Sequence, residues 1–361
     1  MRKIHILTAA EQAANHLRDE IQEGRIGPVM PGVITLEQET GVNRNTLEAG
    51  LRILEREGLI ASQGTGRRRK IIDTEKRDDG GRSIRLAMLE FDEASKGESY
   101  VVEMRHRLEE AGHRVLVTRE TLQHLAMNAS RVAQLVARTQ ADAWIVGAGS
   151  RDVISWFSRR PFPTFCVFGR RRGLPIAGAG PDKTGAMRKA VSRLAGLGHV
   201  RIVLLTRTDR RLPVPGASET AFLESLEEMG IAGGDYNLPS WEDHPEDFQR
   251  VLNSLFAVSP PTAIIVDTVE LYLSTQQFLL KQGLAVPRDV SLVCTDSSPV
   301  FDWCQPRIAH IHWDTRPLVR RVVRWAANVS KRRRDLRQSL IRATLVEGGT
   351  IAPAPGRAGA R

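Results

Sequence analysis

The sequence predicts an α/β protein, in which a small amino-terminal unit of helices and a β-hairpin precedes a larger unit with parallel sheets. Residues 42–70 have the pattern of one amphipathic helix followed by two short strands. From Ile84 onward, near-continuous apolar strands alternate with amphipathic helices, which is typical of parallel sheets covered on both faces. That second part spans about 265 residues, which is large for one such sheet, so we expect two α/β lobes.

The helix predicted after Val42 has signals at both ends. Asn43 is a favourable N-cap, and Val42 and Leu47 have the spacing of a hydrophobic staple. Gly58 stands where a glycine would end the helix. Its apolar positions recur at helical spacing: Leu47, Gly50, Leu51 and Leu54.

Two short strands then flank the Gly-rich turn at 63–66, and a basic run follows that turn. A helix followed by a basic hairpin is the layout of a winged helix, with 1–72 as its domain. Arginine matches guanine and asparagine matches adenine in the major groove, while basic wing residues suit the DNA backbone. The candidate DNA-binding residues are Arg44, Asn45, Thr46, Gln63, Gly64, Thr65, Gly66, Arg67, Arg68 and Arg69. The alternative is a helical hairpin with a solvated basic strand.

Residues 8–72 also resemble the DNA-binding head of the gluconate-repressor (GntR) family of bacterial transcription regulators. The matching pieces are LRDEIQEGRIGPVMPG, TLEQETGVNRNTLEAGLRILEREGLI and QGTGRRRKI. Arg44, Thr46, Gly64 and Gly66 match the family pattern, whereas Glu48 stands where a basic residue is usual. The resemblance implies binding to an operator in double-stranded DNA.

Composition sets limits on the class of protein. The chain has 361 residues, a net charge of +10 and 41% hydrophobic residues, which fits a large core and a polyanionic partner. No run of 18 apolar residues and no signal-peptide pattern occurs, so we expect no membrane partner and a cytoplasmic location. Cys166, Cys294 and Cys304 lack metal-ligand spacing and predict buried thiols. The sequence predicts no metal and no cofactor.

The charged residues 73–83 have no periodicity and predict a linker. The predicted two-lobed core is 84–350, and the residues 351–361 predict a disordered tail. Strands are predicted at 84–91, 113–118, 142–148, 163–169, 201–206, 262–267 and 291–296. Helices are predicted at 99–111, 128–139, 151–159, 184–197, 217–229, 246–257 and 269–282.

This core resembles the effector-binding part of the lactose-repressor family, which is similar to sugar-binding periplasmic proteins. The pieces that carry the resemblance are RLAGLGHVRIVLL, GLAVPRDVSLVCTD and PRIAHIHWDTRPLVRRVVRWAANV. It implies three crossings between the lobes, a return of residues near 308–334 to the first lobe, and a ligand in the cleft between lobes. A GntR-type head on such a core resembles arabinose-repressor-like regulators.

The family's sugar-binding pattern is only partly present. Its pocket arginine aligns with Ser218 and its Asn-Asp pair with Thr268-Val269, whereas the aspartate after the last strand of the second lobe is kept as Asp296. Trp303 and Trp313 could stack on a sugar ring or pack between the lobes. The candidate effector-binding residues are Asp92, Ser150, Arg170, Ser218, Thr268 and Asp296.

Three interpretations of the cleft remain open: a small sugar or sugar derivative, an anionic metabolite held by Arg170, or a ligand-free core used for dimerisation. An enzyme acting on sugars is a further alternative, but the motifs G-x-S-x-G, H-E-x-x-H and the Walker loop are missing. We therefore predict a dimeric, metabolite-responsive transcription regulator, and both resemblances imply repression as the commoner mode.

Overall fold

The computed structural model describes residues 8–22, 26, 29–57, 59–64, 68–71 and 82–356. The chain forms two compact units, Met1–Gly81 and Arg82–Arg361. Several predicted features lie outside the described residues: Gly58, Thr65, Gly66, Arg67, linker residues 73–81 and tail residues 357–361.

The described residues of the first unit form three helices, α1 (Ala9–Gln22), α2 (Val33–Thr40) and α3 (Arg44–Arg56). Thr8 and Glu11, which have the sequence spacing of a capping box, form one, because each backbone N–H donates to the other side chain, at 2.8 Å and 3.3 Å. Helices α1 and α3 lie close together at Gly50, where an added Cβ would come within 3.1 Å of the Ala10 carbonyl oxygen. The apolar core of the described part of this unit is a cluster of Ala14, Leu17, Met30, Leu36, Leu47, Leu51, Leu54 and Ile60.

A short hairpin follows α3. Strand β1 (Ile60–Ala61) pairs antiparallel with β2 (Lys70–Ile71). Val29 forms an antiparallel bridge to Lys70, and the Met30 N–H donates to the Arg69 carbonyl at 2.9 Å. The segment before α2 therefore adds a third, minimal strand to the hairpin. This strand holds the base of the hairpin in place.

The second unit is organised around one ten-stranded sheet in the order β4-β3-β5-β6-β7-β12-β11-β10-β9-β8. All strand pairs are parallel except β11–β12. The strands are β3 (Arg85–Leu89), β4 (Arg114–Val117), β5 (Ala143–Gly147), β6 (Thr164–Val167), β7 (Ala177–Asp182), β8 (Ile202–Leu205), β9 (Ala263–Val266), β10 (Ser291–Cys294), β11 (Ala309–Trp313) and β12 (Gln338–Val346).

Helices connect these strands. They are α4 (Glu93–Lys96), α5 (Ser99–Glu110), α6 (Ala129–Arg138), α7 (Arg151–Ser158), α8 (Thr184–Gly196), α9 (Thr208–Arg211), α10 (Ala217–Glu228), α11 (Pro245–Val258), α12 (Val269–Lys281), a 3-10 helix (Pro299–Trp303) and α13 (Arg316–Ser330). Every helix and strand predicted between Ile84 and Asp296 is present, because each has a strong local hydrophobic pattern. The strand β7 and the short α4 and α9 were not predicted.

Strand β12, which was also not predicted, joins the two halves of the sheet. Its first part, Gln338–Arg342, pairs with β7, and its second part, Ala343–Val346, pairs with β11. We call β3–β7 with α4–α7 and α13 the first lobe, and β8–β11 with α8–α12 the second lobe. Helix α13 packs on α5 and β7, so residues 316–330 return to the first lobe as expected, whereas residues 309–313 form β11 and pair with β10 in the second lobe.

The end of the chain departs from the prediction of a disordered tail, since residues 351–356 are ordered on the second lobe. The His199 ring nitrogen Nε2 lies 2.9 Å from the Ala352 carbonyl oxygen, and the Ala354 N–H donates to the Leu197 carbonyl at 3.0 Å. Composition did not reveal this, because the contacts are hydrogen bonds with residues about 150 positions earlier in the chain. No helix in the described part of the chain combines the length and apolarity needed to cross a membrane.

Candidate nucleic-acid interface and ligand cleft

The start of α3 is built as predicted and leaves two polar side chains exposed. Asn43 caps the helix by accepting a hydrogen bond from the Thr46 N–H at 3.0 Å. Arg44 and Asn45 are exposed, and the Arg44 side chain, with 66% of its surface accessible, extends toward Glu48, with Nε 3.3 Å from Oε1. Their side chains remain accessible to a partner.

Two backbone N–H groups at the start of α3 already have hydrogen-bond acceptors within the chain. The Arg44 N–H donates to the Glu37 carboxylate at 3.1 Å, and the Thr46 N–H donates to Asn43. Because these two N–H groups are already satisfied, a phosphate at this helix end would compete with side chains of the same chain.

The hairpin residues predicted to contact DNA differ in their environment. Gln63, Gly64, Arg68 and Lys70 are exposed. Arg69 is partly buried, and its Nε lies 2.7 Å from the Glu55 carboxylate in α3. Arg69 therefore joins the hairpin to α3, whereas Arg68 is exposed and forms no ion pair with a described residue. Thr65, Gly66 and Arg67 lie outside the described residues.

A cleft of about 750 Å³ lies between the lobes of the second unit, where the carboxyl ends of strands from both half-sheets meet. Residues that follow β3, β8, β9 and β10 line it, which is the position where open α/β sheets bind ligands. Its carboxylates are Glu90, Asp92, Glu98, Asp209, Asp267, Glu270, Asp296, Asp302 and Asp314. Its lysine and arginine side chains are Lys183, Arg207, Arg210 and Arg307.

Three of the six predicted effector residues line this cleft. Asp92 caps α4 by accepting hydrogen bonds from the N–H and the hydroxyl of Ser95, at 2.8 Å and 2.6 Å. Thr268 caps α12. Asp296 follows β10, and its Oδ1 lies 4.0 Å from the Lys183 ammonium.

The other three predicted residues do not line the cleft, although the structure describes all of 82–356. Ser150 caps α7, accepting a hydrogen bond from the Val153 N–H at 3.4 Å. Ser218 lies in the first turn of α10. Arg170 donates hydrogen bonds of 2.7 Å to the backbone carbonyls of Asp209 and Arg210. The Arg170 guanidinium is therefore engaged in a contact between the lobes and does not line the cleft. This removes the residue on which the anionic-metabolite interpretation depended.

Several lining residues were missed by sequence reasoning. Glu90 was assigned to the interior of a predicted strand, but β3 ends at Leu89 and Glu90 is the first residue beyond its carboxyl end. Lys183 follows the unpredicted β7. Asp267 is the last residue of the predicted strand 262–267, so its position at a strand end could have identified it. The family resemblance selected the next residue, Thr268, instead.

Asp267 is the centre of a buried polar network. It accepts hydrogen bonds from the hydroxyls of Thr206 (3.2 Å) and Thr295 (3.3 Å), and its Oδ2 lies 3.6 Å from the Arg210 Nε. Burial opposes its charge, but Arg210 and Lys183 outweigh that effect and lower the pKa of Asp267. This carboxylate is therefore ionised and already neutralised by its own neighbours.

Aromatic rings form part of the opposite wall. Tyr100, Phe168 and Trp313 line the cleft and contact one another at angles, with ring centroids 5.6–6.3 Å apart. Trp303, the other predicted stacking residue, has 87% of its surface exposed and is not among the described residues that line the cleft. The cleft thus offers acidic groups and ring faces together.

The second unit has the two-lobed, mostly parallel fold of type I periplasmic-binding-protein-like cores. The sequence profile of the periplasmic binding protein-like domain matches residues 191–351. A search of curated proteins gave no match.

Solved structures share this fold at low sequence identity. A LacI family transcriptional regulator from Enterococcus faecium with bound ribose is 15% identical, with a TM-score of 0.60, covering 74% of this chain and 99% of that one. The lac repressor dimer bound to operator and the anti-inducer ONPF is 20% identical, with a TM-score of 0.60 and coverages of 76% and 96%. The transcriptional regulator CelR in complex with cellobiose is 16% identical, with a TM-score of 0.60 and coverages of 89% and 100%.

Proposed function

We propose that this chain is a sequence-specific DNA-binding transcriptional regulator whose affinity for duplex DNA is changed by a small polar metabolite, a sugar or sugar derivative, bound between the lobes of the second unit. The observation that carries the proposal is the pairing of two features in one chain. A three-helix unit with a hairpin exposes Arg44 and Asn45 on its third helix, and a separate two-lobed unit encloses a polar cleft.

On the DNA side, the exposed groups have the chemistry that the major groove requires. Arginine can donate two hydrogen bonds to guanine, and asparagine can pair with adenine. Arg68 and Lys70 on the hairpin supply positive charge for the phosphate backbone. The net charge of +10 favours association with a polyanion. These features support a winged-helix head, with 1–72 as the DNA-binding domain and 73–83 as its linker.

On the ligand side, the cleft is large enough for a small metabolite and is not filled by side chains. Asp92, Glu90 and Asp296 supply acceptors for ligand hydroxyls, and the rings of Tyr100 and Trp313 supply faces on which a ligand ring can stack. A core used only for dimerisation would not need such a set. The ribose and cellobiose bound to two regulators of the same fold are consistent with a sugar derivative.

Coupling would operate through lobe closure. The Arg207 guanidinium and the Asp92 carboxylate, from opposite lobes, lie 4.0 Å apart across the cleft. A ligand that contacts both lobes would favour the closed form in proportion to its differential affinity for the two forms. We propose that residues 73–83 convey this change, and that two copies bind two related half-sites as a dimer.

The test is selection of duplexes from a random library by the full-length chain, followed by fluorescence anisotropy on the enriched sequence. We expect enrichment of two related half-sites and an affinity that falls steeply with salt, since phosphate contacts release counterions. A sugar panel added to the complex should then change the affinity. Failure to enrich any sequence, together with weak and salt-independent binding, would refute the proposal.

A further inference from the structure

We propose that the ligand of this cleft is a small organic cation, a molecule with at least one protonated amine such as an amino sugar or an aliphatic polyamine. This inference rests on the proposed function, because it names the chemical class of the metabolite that the cleft would bind. Three observations carry it: the balance of charge in the cleft, one buried carboxylate without a donor, and the aromatic wall.

The cleft has an excess of negative charge that its own cations do not offset. Carboxylates outnumber lysine and arginine side chains by nine to four among the lining residues. Three of the four cations are already placed beside lining carboxylates: Arg210 lies 3.6 Å from Asp267, and the Lys183–Asp296 and Arg207–Asp92 separations are 4.0 Å. Of the remaining carboxylates, Asp314 is paired with Arg316, whereas Glu90 and Glu98 form no ion pair with a described residue and are left to interact with a ligand.

Glu90 is a buried carboxylate of the cleft to which no described residue donates a hydrogen bond. It lines the cleft with only 3% of its surface exposed, and no described residue donates a hydrogen bond to its side chain or forms an ion pair with it. An ionised carboxylate only accepts hydrogen bonds, and its burial without a donor is costly. The carboxylate lies against Gly147, where an added Cβ would collide with it. The glycine leaves Glu90 room to occupy the base of the cleft, where a ligand donor could reach it.

Carboxylates of the two lobes also face each other. Glu98 occupies the N-cap position of α5 in the first lobe without a side-chain capping hydrogen bond, whereas Glu270 and Asp296 belong to the second lobe. Burial and then the negative charges of Asp296, Glu270 and Asp92 raise the pKa of Glu98. A cation between the lobes would convert this repulsion into attraction, while a neutral sugar would leave it in place.

The aromatic wall suits the same ligand. The Tyr100 ring lies close enough to Glu90 and Glu98 that both carboxylates contribute to raising its pKa, after burial. Tyr100 also contacts Phe168 and Trp313, whose rings line the cleft. Aromatic faces beside carboxylates are a common arrangement for binding ammonium groups, because the ring quadrupole and the carboxylate both attract positive charge.

Isothermal titration calorimetry on the full-length chain at pH 7 tests the inference with matched probes. Glucosamine is compared with glucose, galactosamine with galactose, and putrescine and spermidine with 1,4-butanediol. We expect at least one amine to bind about tenfold or more tightly than its neutral counterpart, which corresponds to about 1.4 kcal/mol. Which pair shows the difference distinguishes an amino sugar from a polyamine.

Variants then locate the effect. Glu90→Gln keeps the shape of the side chain and removes its charge, so the preference for the amine should fall at least tenfold. Glu109→Gln is the control, since Glu109 is an exposed residue of α5 that pairs with Arg105 and does not line the described cleft. Thermal unfolding of each variant shows whether it has folded.

Three results would overturn the inference: every neutral probe binding as tightly as its matched amine, no binding by any amine of the panel, or an unchanged preference in folded Glu90→Gln. A neutral sugar that alters DNA affinity would sustain the proposed function while removing this inference. An amine that binds to a chain without affinity for DNA would do the reverse.

Discussion

The Arg170 guanidinium in the first lobe donates a 2.7 Å hydrogen bond to the backbone carbonyl of Asp209 in the second lobe. A second hydrogen bond of 2.7 Å joins the same guanidinium to the Arg210 carbonyl. Arg210 in turn lies beside Asp267, in the wall of the cleft. One side chain therefore connects the two lobes at the backbone of a segment that lines the ligand cleft.

Arg170→Ala should destabilise the second unit by about 1–3 kcal/mol, since it leaves two carbonyls without a charged donor. Tryptophan fluorescence during urea unfolding measures this unit, because all six tryptophans lie between Trp144 and Trp325. Arg172→Ala, an exposed neighbour, is the control and should have little effect. Equal stabilities for the two variants would argue against a connecting role for Arg170.

Arg44→Ala should weaken binding to a selected operator by about 1–3 kcal/mol, provided that the guanidinium reads a guanine. Anisotropy with the selected duplex and a scrambled one measures the loss of specificity. Arg105→Ala is a matched control, because Arg105 pairs with Glu109 at the same i,i+4 spacing as Arg44 with Glu48. If operator affinity is unchanged by Arg44→Ala, this residue does not read the sequence.

Arg68→Ala should weaken binding to all duplexes alike and reduce the slope of affinity against salt, because its exposed charge suits a phosphate contact. Arg69→Ala should instead loosen the hairpin by removing the ion pair with Glu55. Circular dichroism on both variants separates the two effects. A loss by Arg68→Ala on one operator only would contradict its assignment to the backbone.

Asp335→Asn should destabilise the second unit by about 2 kcal/mol at neutral pH. Burial opposes the charge of Asp335, but hydrogen bonds from the Arg337 N–H and from Asn328, together with Arg321, lower its pKa to about 2. The pKa is lowered on folding, so this stabilisation is present above about pH 4 and is lost as the pH falls toward 2. Urea unfolding at several pH values measures it. Glu347→Gln, which removes an exposed pair with Arg193, should change little.

Glu90→Gln should stabilise the ligand-free protein at pH 7 and above, by up to about 3 kcal/mol. Burial first, and then the charge of Asp92, raise the pKa of Glu90 to about 7 against the opposing effect of Lys96. A raised pKa means that the folded state holds the proton more tightly, so wild-type stability should fall between about pH 4.5 and 7. The variant should lack this fall. A parallel pH dependence in both proteins would show that Glu90 does not titrate in this range.

The pKa of Glu90 also depends on how the groups around it are charged. Tyr100, whose own pKa is raised, stays neutral across this range and does not alter the prediction. An amine bound beside Glu90 should lower the pKa of this carboxyl, so that the fall in stability moves to lower pH.

The sequence by itself determined the elements whose signals are local. The N-cap at Asn43, the capping box at Thr8, and the strands and helices between Ile84 and Asp296 each depend on residues a few positions apart, which a linear pattern contains. Three of the predicted ligand residues line the cleft: Asp92, Thr268 and Asp296. Each comes after a predicted strand, and ligands bind beyond the carboxyl ends of parallel strands.

Only the tertiary structure decided which charges meet. Strand β12 was missed because its pairing with β7 and β11 comes from sequence positions far away, and half of its residues are polar or exposed. Arg170 and Glu90 look alike in the sequence, as charged residues near the ends of apolar strands. In the folded chain, Arg170 donates to backbone carbonyls of the opposite lobe, whereas Glu90 is buried at the cleft without a described donor. The difference arises because strand ends and long-range packing set the direction of each side chain.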